Sequence, residues 1–122
     1  MAREQRVDSQ MKFNEKERIV RFVDENVLKA FKQLEKDNPN LFKFINRALD
    51  DLKDNPFCGV IIPKRLHPQE YVTKFNITNL WKYDLPSAWR LLYTVKGNEI
   101  RIVSIILEWM DHKTYERKFK YG

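Results

Sequence analysis

The chain has 122 residues, 43% of them hydrophobic and 33% charged, which is enough to bury one core and too apolar for a wholly disordered protein. Its one cysteine, Cys58, excludes an intramolecular disulfide framework and a paired-cysteine metal site. No apolar run approaches the roughly 18 residues of a membrane span, and residues 1–12 have no stretch typical of a signal peptide. Composition therefore predicts a soluble, cytoplasmic protein of one domain.

Positive charge is concentrated in the second half of the chain. Residues 1–56 carry 12 basic and 11 acidic side chains, whereas residues 57–122 carry 11 basic and 6 acidic ones, for a formal net charge of +6 overall. A local excess is typical of a surface that binds a polyanion. A mildly basic solvated surface explains it about equally well, and charge alone does not separate a nucleic-acid groove from a surface for an acidic protein.

The first half of the chain predicts an arm, a strand and two helices. Residues 1–17 are polar and predict a flexible or weakly helical arm, and residues 18–122 predict a single domain. Residues 19–23 are rich in β-branched and aromatic side chains, which favours a strand. Asp24 can cap the helix that follows, and Pro39 suits the first position of a second helix. The short connection between the helices predicts an antiparallel hairpin.

The second half predicts mostly strands. Residues 57–79 are less regular, with strand-like composition at 60–62 and a helix start at Pro68. A three-stranded meander with tight turns is then predicted at residues 80–85, 89–95 and 100–109, the last expected to be central. The order predicts an α+β fold, in which an antiparallel-dominated sheet of the N-terminal strand and the meander packs against the helical hairpin.

Arg90 lies in a predicted strand, on the face opposite that strand's aromatic side chains. If the helices cover the aromatic face, Arg90 points to the other, open face. A guanidinium inside a strand needs an anion to offset its desolvation. The ordinary interpretation is an ion pair with Asp84 or Glu108. The functional one is a phosphate clamp, with Lys82 on the neighbouring strand, because arginine binds oxyanions through two hydrogen bonds.

The C-terminal segment forms a second cluster of candidate residues, His112, Lys113, Tyr115, Arg117 and Lys118. Histidine can serve as acid or base near neutral pH, and tyrosine can stack on a base. A charged C-terminal segment is most often a solvated helix. This one directly follows the last strand, so it can fold over the sheet near the strand arginine.

No metal and no small-molecule cofactor are predicted. His67 and His112 lack the spacing of a zinc site, and three glycines at positions 59, 97 and 122 cannot form a phosphate-binding glycine-rich loop. Cys58 lies in an apolar stretch and lacks the motif of a nucleophilic cysteine.

Three segments together resemble the RelE/ParE superfamily of type II toxin–antitoxin toxins. They are residues 79–85 (NLWKYDL), residues 89–95 (WRLLYTV) and, after a further strand, residues 111–115 (DHKTY). The preceding strand and helical hairpin follow the same order, so the resemblance covers roughly residues 18–120. It implies a RelE-like fold for the domain.

The resemblance also implies an activity and a set of site residues. Members of the RelE branch are ribosome-dependent endoribonucleases that cut mRNA without a metal, by attack of a ribose 2′-hydroxyl on the adjacent phosphate. By this resemblance, Arg90 contacts the scissile phosphate and Lys82 is a basic residue on the preceding strand. Tyr115 stacks on or orients the nucleotide, and His112 transfers a proton.

The predicted function is thus the toxin of a type II toxin–antitoxin system. Its expected partners are a cognate antitoxin, the ribosome and mRNA, with no membrane. Further RNA contacts are expected from Lys74, Lys113, Arg117 and Lys118. Two alternatives stay open, a ParE-like inhibitor of DNA gyrase that is not a nuclease and a non-toxic RelE-like binding module.

Overall fold

A computed structural model of the chain describes residues 15–119, so most of the predicted N-terminal arm, residues 1–14, lies outside the described residues. Within 15–119 the chain has an α+β fold with five strands and four α-helices. In chain order these are β1 (Glu17–Phe22), α1 (Glu25–Asp37), α2 (Pro39–Asp54), β2 (Val60–Ile61), α3 (Gln69–Phe75), β3 (Trp81–Leu85), β4 (Trp89–Gly97), β5 (Arg101–Asp111) and α4 (His112–Phe119).

The strands of the described region form one mixed sheet in the order β1-β5-β4-β3-β2. The β2–β3, β3–β4 and β4–β5 pairings are antiparallel, and β1 runs parallel to β5. The expected antiparallel-dominated sheet is confirmed at this level. Two details differ. The meander gains β2 as an additional edge strand, and β4 rather than β5 is the middle strand, because β1 and β2 each add to an opposite edge.

The two N-terminal helices form the expected hairpin, and side-chain caps define where each begins. The Asp24 carboxylate accepts a hydrogen bond from the Val27 amide at 2.9 Å, as predicted for the start of α1. Asn38, the one residue between the helices, accepts from the Leu41 amide at 3.2 Å and precedes Pro39 at the start of α2. Pro68, by contrast, precedes α3 instead of occupying its first position.

The hairpin covers one face of the sheet and forms the larger core with it. Leu91 and Tyr93 of β4 point into this core, as their alternation predicts, and the Phe31 and Phe42 rings of the two helices stack at 4.8 Å. The fully buried residues at its centre include Leu41, Ile45, Ala48, Leu52, Leu91 and Ile106. This face therefore holds the helices in place by apolar burial.

The second face of the sheet is also covered, which corrects the expectation that Arg90 points to an open face. A second core lies there, with α3 contributing Tyr71 and α4 contributing Tyr115 and Phe119. Tyr115 and Phe119 are four residues apart, so both lie on one side of α4. The C-terminal segment is thus a helix packed on the sheet, and not a solvated one, because this side is apolar.

The helices of residues 15–119 include none that combines the length and the hydrophobicity needed to cross a lipid bilayer.

The loop before β2 makes a close backbone approach at Gly59. A Cβ atom added there would lie 2.5 Å from the Lys82 carbonyl oxygen and 2.6 Å from the Tyr93 hydroxyl oxygen. That hydroxyl donates to the Pro56 carbonyl at 2.8 Å and accepts from the Gly59 amide at 3.1 Å. Burial raises the pKa of Tyr93, so the hydroxyl stays protonated and can donate. The loop is therefore held against the middle of the sheet.

We expect Gly59→Ala to destabilise the protein by about 1–3 kcal/mol, because the nearest atom, the Lys82 carbonyl oxygen at 2.5 Å, belongs to the backbone and cannot rotate away. Urea unfolding measures the change. Cys58→Ala is the control, since Cys58 is exposed and should shift stability by less than about 0.5 kcal/mol. Equal stability of the two variants would contradict the close approach.

Candidate functional site

Antiparallel pairing of β3 and β4 brings three charged side chains together at one end of the sheet. Asp84 lies directly opposite Arg90, and Lys82 lies two residues away from Asp84 on the same face of β3. Lys82 Nζ is 2.9 Å and 3.0 Å from the two Asp84 carboxylate oxygens, and Arg90 Nε is 3.1 Å from Asp84 Oδ1. We call these three residues the charged triad.

The members of the charged triad differ in exposure. The side chains of Lys82 and Arg90 are only 18% and 17% exposed, whereas that of Asp84 is 53% exposed. The carboxylate is therefore the member nearest to solvent, and it lies against two partly buried cations. The ion pair between Arg90 and Asp84 that the sequence suggested as an ordinary interpretation is present.

The ion pair of Arg90 lacks a hydrogen bond. Arg90 Nε is buried and, despite its 3.1 Å distance from Asp84 Oδ1, its N–H is not aligned to donate. Other nitrogens of the guanidinium do donate, Nη1 to the Trp89 carbonyl at 3.2 Å and Nη2 to His112 Nδ1 at 3.2 Å. Asp84 thus holds Arg90 by charge, with imperfect geometry.

His112 is the first residue of α4, and its two ring nitrogens have different partners. Arg90 can only donate, so Nδ1 accepts its hydrogen bond and the ring hydrogen belongs on Nε2. Nε2 lies 3.1 Å from the Glu116 carboxylate, one turn along the helix. These contacts assign a neutral imidazole with its Nδ1 lone pair directed at the strand arginine.

The Tyr115 ring lies beneath the two cations, Arg90 and Lys82. Its ring centre lies 5.7 Å from the Arg90 guanidinium carbon and 6.0 Å from Lys82 Nζ, within reach of cation–π attraction. The residue is 3% exposed and stacks on Phe119 at 4.5 Å. In this arrangement Tyr115 supports the cations, and a nucleotide cannot stack on its ring without opening the core.

An N-terminal cap orients α4 relative to β5. The Asp111 carboxylate accepts a hydrogen bond from the Thr114 amide at 2.8 Å, the pattern of an N-cap residue. Hydrogen bonds from Thr114 lower the pKa of Asp111 below its ordinary value of 3.8. Because the helix begins directly after the strand, the cap places His112 beside Arg90.

Lys118 points inward, toward α3 and β5. Its ammonium group donates to the Glu70 carboxylate and lies 3.6 Å from the Glu108 carboxylate. Partial burial alone lowers the pKa of Lys118, but the hydrogen bond to Glu70 and the charge of Glu108 raise it overall. Tyr71 donates its hydroxyl to Glu108 beneath it, and burial raises the pKa of this hydroxyl well above its ordinary value.

This polar network was not predicted, and the role expected for Lys118 in RNA contact must compete with it. Tyr71 and Glu108 are 37 residues apart, and Glu70 and Lys118 are 48 apart. Local sequence patterns cannot reveal such pairs. The one local signal is Tyr71 in a helix with apolar neighbours, which indicates a buried face.

The other predicted RNA contacts lie at two places. Lys113 and Arg117 are exposed on α4, which begins at the charged triad. Lys74 is exposed on α3, 5.3 Å from the Phe75 ring, and lines a separate cleft of about 270 Å³ between α1, α3 and β5. The structure thus brings Arg90, Lys82, His112 and Tyr115 together, extends this site along α4, and leaves Lys74 apart from it.

An acidic cleft of about 520 Å³ borders the charged triad on the α2 side. Asp51 and Asp54 line it together with Lys82 and Asp84. The Tyr83 hydroxyl donates to Asp51, and burial, with this hydrogen bond, raises the pKa of Tyr83 to about 12. A polyanion at the triad is repelled on this side, so α4 is the favourable direction for it.

Within residues 15–119, no group of three or more histidine, cysteine, aspartate or glutamate side chains is arranged to hold a metal ion.

Comparison with known proteins finds no matching family model, no matching curated protein and no matching solved structure.

We expect Lys118→Met to destabilise the protein by about 1–2 kcal/mol, because it leaves Glu70 and Glu108 without their shared cation while keeping the aliphatic stem. Urea unfolding measures the loss. Lys113→Met removes the same charge from an exposed position of the same helix and should be neutral within about 0.5 kcal/mol. An unchanged Lys118→Met protein would show that the network adds no stability.

Asp111→Asn tests the cap of α4 through its pH dependence. Asparagine also caps helices, so both proteins should be similarly stable at neutral pH. The folded-state pKa of Asp111 is depressed, so its contribution is complete above the unfolded-state value near 3.8 and is lost as pH falls through the lower folded-state value.

The natural protein should therefore lose stability relative to Asp111→Asn in acid. Urea midpoints of both proteins measured between about pH 5 and pH 2 give this difference. A difference that does not change with pH would show that the carboxylate does not cap the helix.

Proposed function

We propose that the protein is the toxin of a type II toxin–antitoxin system, has a RelE-like fold and cuts ribosome-bound mRNA without a metal. The observation that carries the proposal is the convergence of Lys82, Arg90, His112 and Tyr115. They come from β3, β4 and α4 and meet at one end of the sheet. The sequence resemblance names the same four positions.

The charges and donors fit attack of a ribose 2′-hydroxyl on the adjacent phosphate. In that step the 2′-oxygen bonds to phosphorus, and the bond from phosphorus to the 5′-oxygen breaks. Negative charge grows on the phosphate oxygens, and a well-placed cationic donor such as Arg90 stabilises it by about 3–4 kcal/mol. Arg90 and Lys82 flank one anion position already, since both contact the same carboxylate.

In this proposal His112 accepts a proton and Lys82 donates one. When Arg90 turns from His112 Nδ1 to the phosphate, the freed lone pair can accept the proton of the 2′-hydroxyl. The leaving 5′-oxygen takes a proton from the Lys82 ammonium group. The products are a 2′,3′-cyclic phosphate and a 5′-hydroxyl. Tyr115 acts as a positioning residue, because it is buried beneath both cations.

The partners follow from charge. RNA leaves the site along α4, where Lys113 and Arg117 are exposed, and away from the acidic cleft. An antitoxin with an acidic segment would neutralise the same surface. The cytoplasm, where ribosomes and mRNA meet, is the compartment that this function requires.

We expect Arg90→Ala to reduce cleavage of ribosome-bound message by about 100- to 1000-fold, through lost stabilisation of the transition state. Primer extension maps and quantifies the cuts, and growth on induction gives the cellular readout. Arg101→Ala is the matched control. Arg101 is also a strand arginine, with its Nε 3.1 Å from the Glu17 carboxylate. It begins β5, however, whereas Arg90 pairs with Met110 near the end of that strand.

Three other outcomes would contradict the proposal, the first its catalytic arginine and the other two the nuclease assignment. Cuts by Arg90→Ala at the natural rate would show that Arg90 is not catalytic. Growth arrest by the natural protein without any cuts, together with loss of DNA supercoiling, would favour the gyrase inhibitor. Normal growth on unrestrained expression would favour the non-toxic binding module.

A further inference from the structure

We propose that Asp84 is a built-in competitor for the phosphate position, which the backbone of an incoming RNA must displace. The inference rests on the proposed function and deepens it, because it gives the charged triad an affinity threshold that favours ligands with further phosphate contacts, such as polynucleotides. Asp84 contacts both cations of the triad, through Lys82 Nζ at 2.9 Å and Arg90 Nε at 3.1 Å. Its carboxylate therefore lies where an oxyanion bridging the two cations would lie.

The exposure of the three side chains determines which of them an incoming ligand meets first. Asp84 is 53% exposed, and the two cations beneath it are 17% and 18% exposed. A ligand arriving from solvent meets the carboxylate before it meets either cation. The cations cannot retreat, because the Tyr115 ring lies close to both of them and is itself part of the second core.

The contact between Asp84 and Arg90 lacks a hydrogen bond, which favours replacement of the Asp84 carboxylate by another oxyanion. Arg90 Nε is buried and makes no hydrogen bond, although the carboxylate oxygen is only 3.1 Å away. A phosphate oxygen in better alignment would gain the hydrogen bond that Asp84 does not accept. Partly exposed ion pairs are weak in water, so Asp84 can swing outward at small cost.

The cost of displacing Asp84 is the same for every oxyanion, so it sets a threshold that a ligand with further contacts exceeds more readily. With Asp84 in place the triad carries a formal charge of +1, and without the carboxylate it carries +2. A lone phosphate must displace Asp84 with only the triad to bind. A single-stranded RNA gains further contacts along α4, where Lys113 and Arg117 are exposed, and these offset the displacement. Asp84 thus makes occupation of the charged triad depend on whether the ligand carries further phosphates that contact α4.

The test compares the full-length natural protein with Asp84→Asn and with Glu99→Gln. Both variants remove one negative charge, but Glu99 lies in the turn after β4, at the far end of the sheet from Arg90. Asp84→Ser is measured in parallel, so the result does not depend on the folding of one variant. The two probes are inorganic phosphate, titrated by NMR, and a fluorescent single-stranded oligouridylate.

We expect Asp84→Asn to bind inorganic phosphate about tenfold more tightly than the natural protein, because two partly exposed ion pairs no longer compete. For the oligouridylate, which contacts the two cations in both proteins once Asp84 is displaced, affinity should rise by a similar factor, and the slope of log K against log salt should change by less than about 0.7, the value for one phosphate contact on a single strand. Glu99→Gln should match the natural protein in both measurements.

Two results would overturn the inference. Equal tightening by Asp84→Asn and Glu99→Gln would mean that overall charge acts at long range. Weaker or unchanged binding by both Asp84 variants would mean that the carboxylate only positions the cations. A different result separates this inference from the proposed function. Tighter binding by Asp84→Asn without cleavage of ribosome-bound message by any of these proteins would reject the nuclease and keep the competitor role.

Discussion

The docking of α4 on the second face of the sheet is the constraint on which the site depends. Tyr115 and Phe119 anchor the helix by burial, and the Asp111 cap begins it directly after β5. Without that docking, His112 would have no fixed relation to Arg90, and the second face would expose Leu92 and Leu107. The apolar core and the candidate site therefore form together, because the same short helix supplies both.

Placing two cations side by side in a sheet raises an electrostatic problem that the surrounding residues solve. Lys82 and Arg90 repel each other and lose water where they are partly buried. The Asp84 carboxylate and the Tyr115 ring each contact both cations, one as a counter-charge and one through its π face. A site stabilised by a movable carboxylate is stable when empty and can still exchange that carboxylate for a stronger oxyanion.

Most of the local structure could be predicted from local signals. The cap at Asp24, the helix start at Pro39 and the alternation of residues 89–95 each depend on neighbours within a few positions, and the structure has these features. The parallel pairing of β1 with β5 and the addition of β2 were not predicted. They join segments far apart in sequence, and several partners would satisfy the same strand pattern.

The candidate site likewise has properties that follow from local sequence and properties that depend on packing between distant elements. The amino-acid sequence is enough to identify the side chains that can hold charge or move a proton, Arg90 and His112 among them, since these properties belong to the residue type. Three-dimensional packing makes Tyr115 a buried support, places Lys118 in an internal network and sets Asp84 against both cations. Distance and desolvation determine these roles, and both are set by packing between elements distant in the chain.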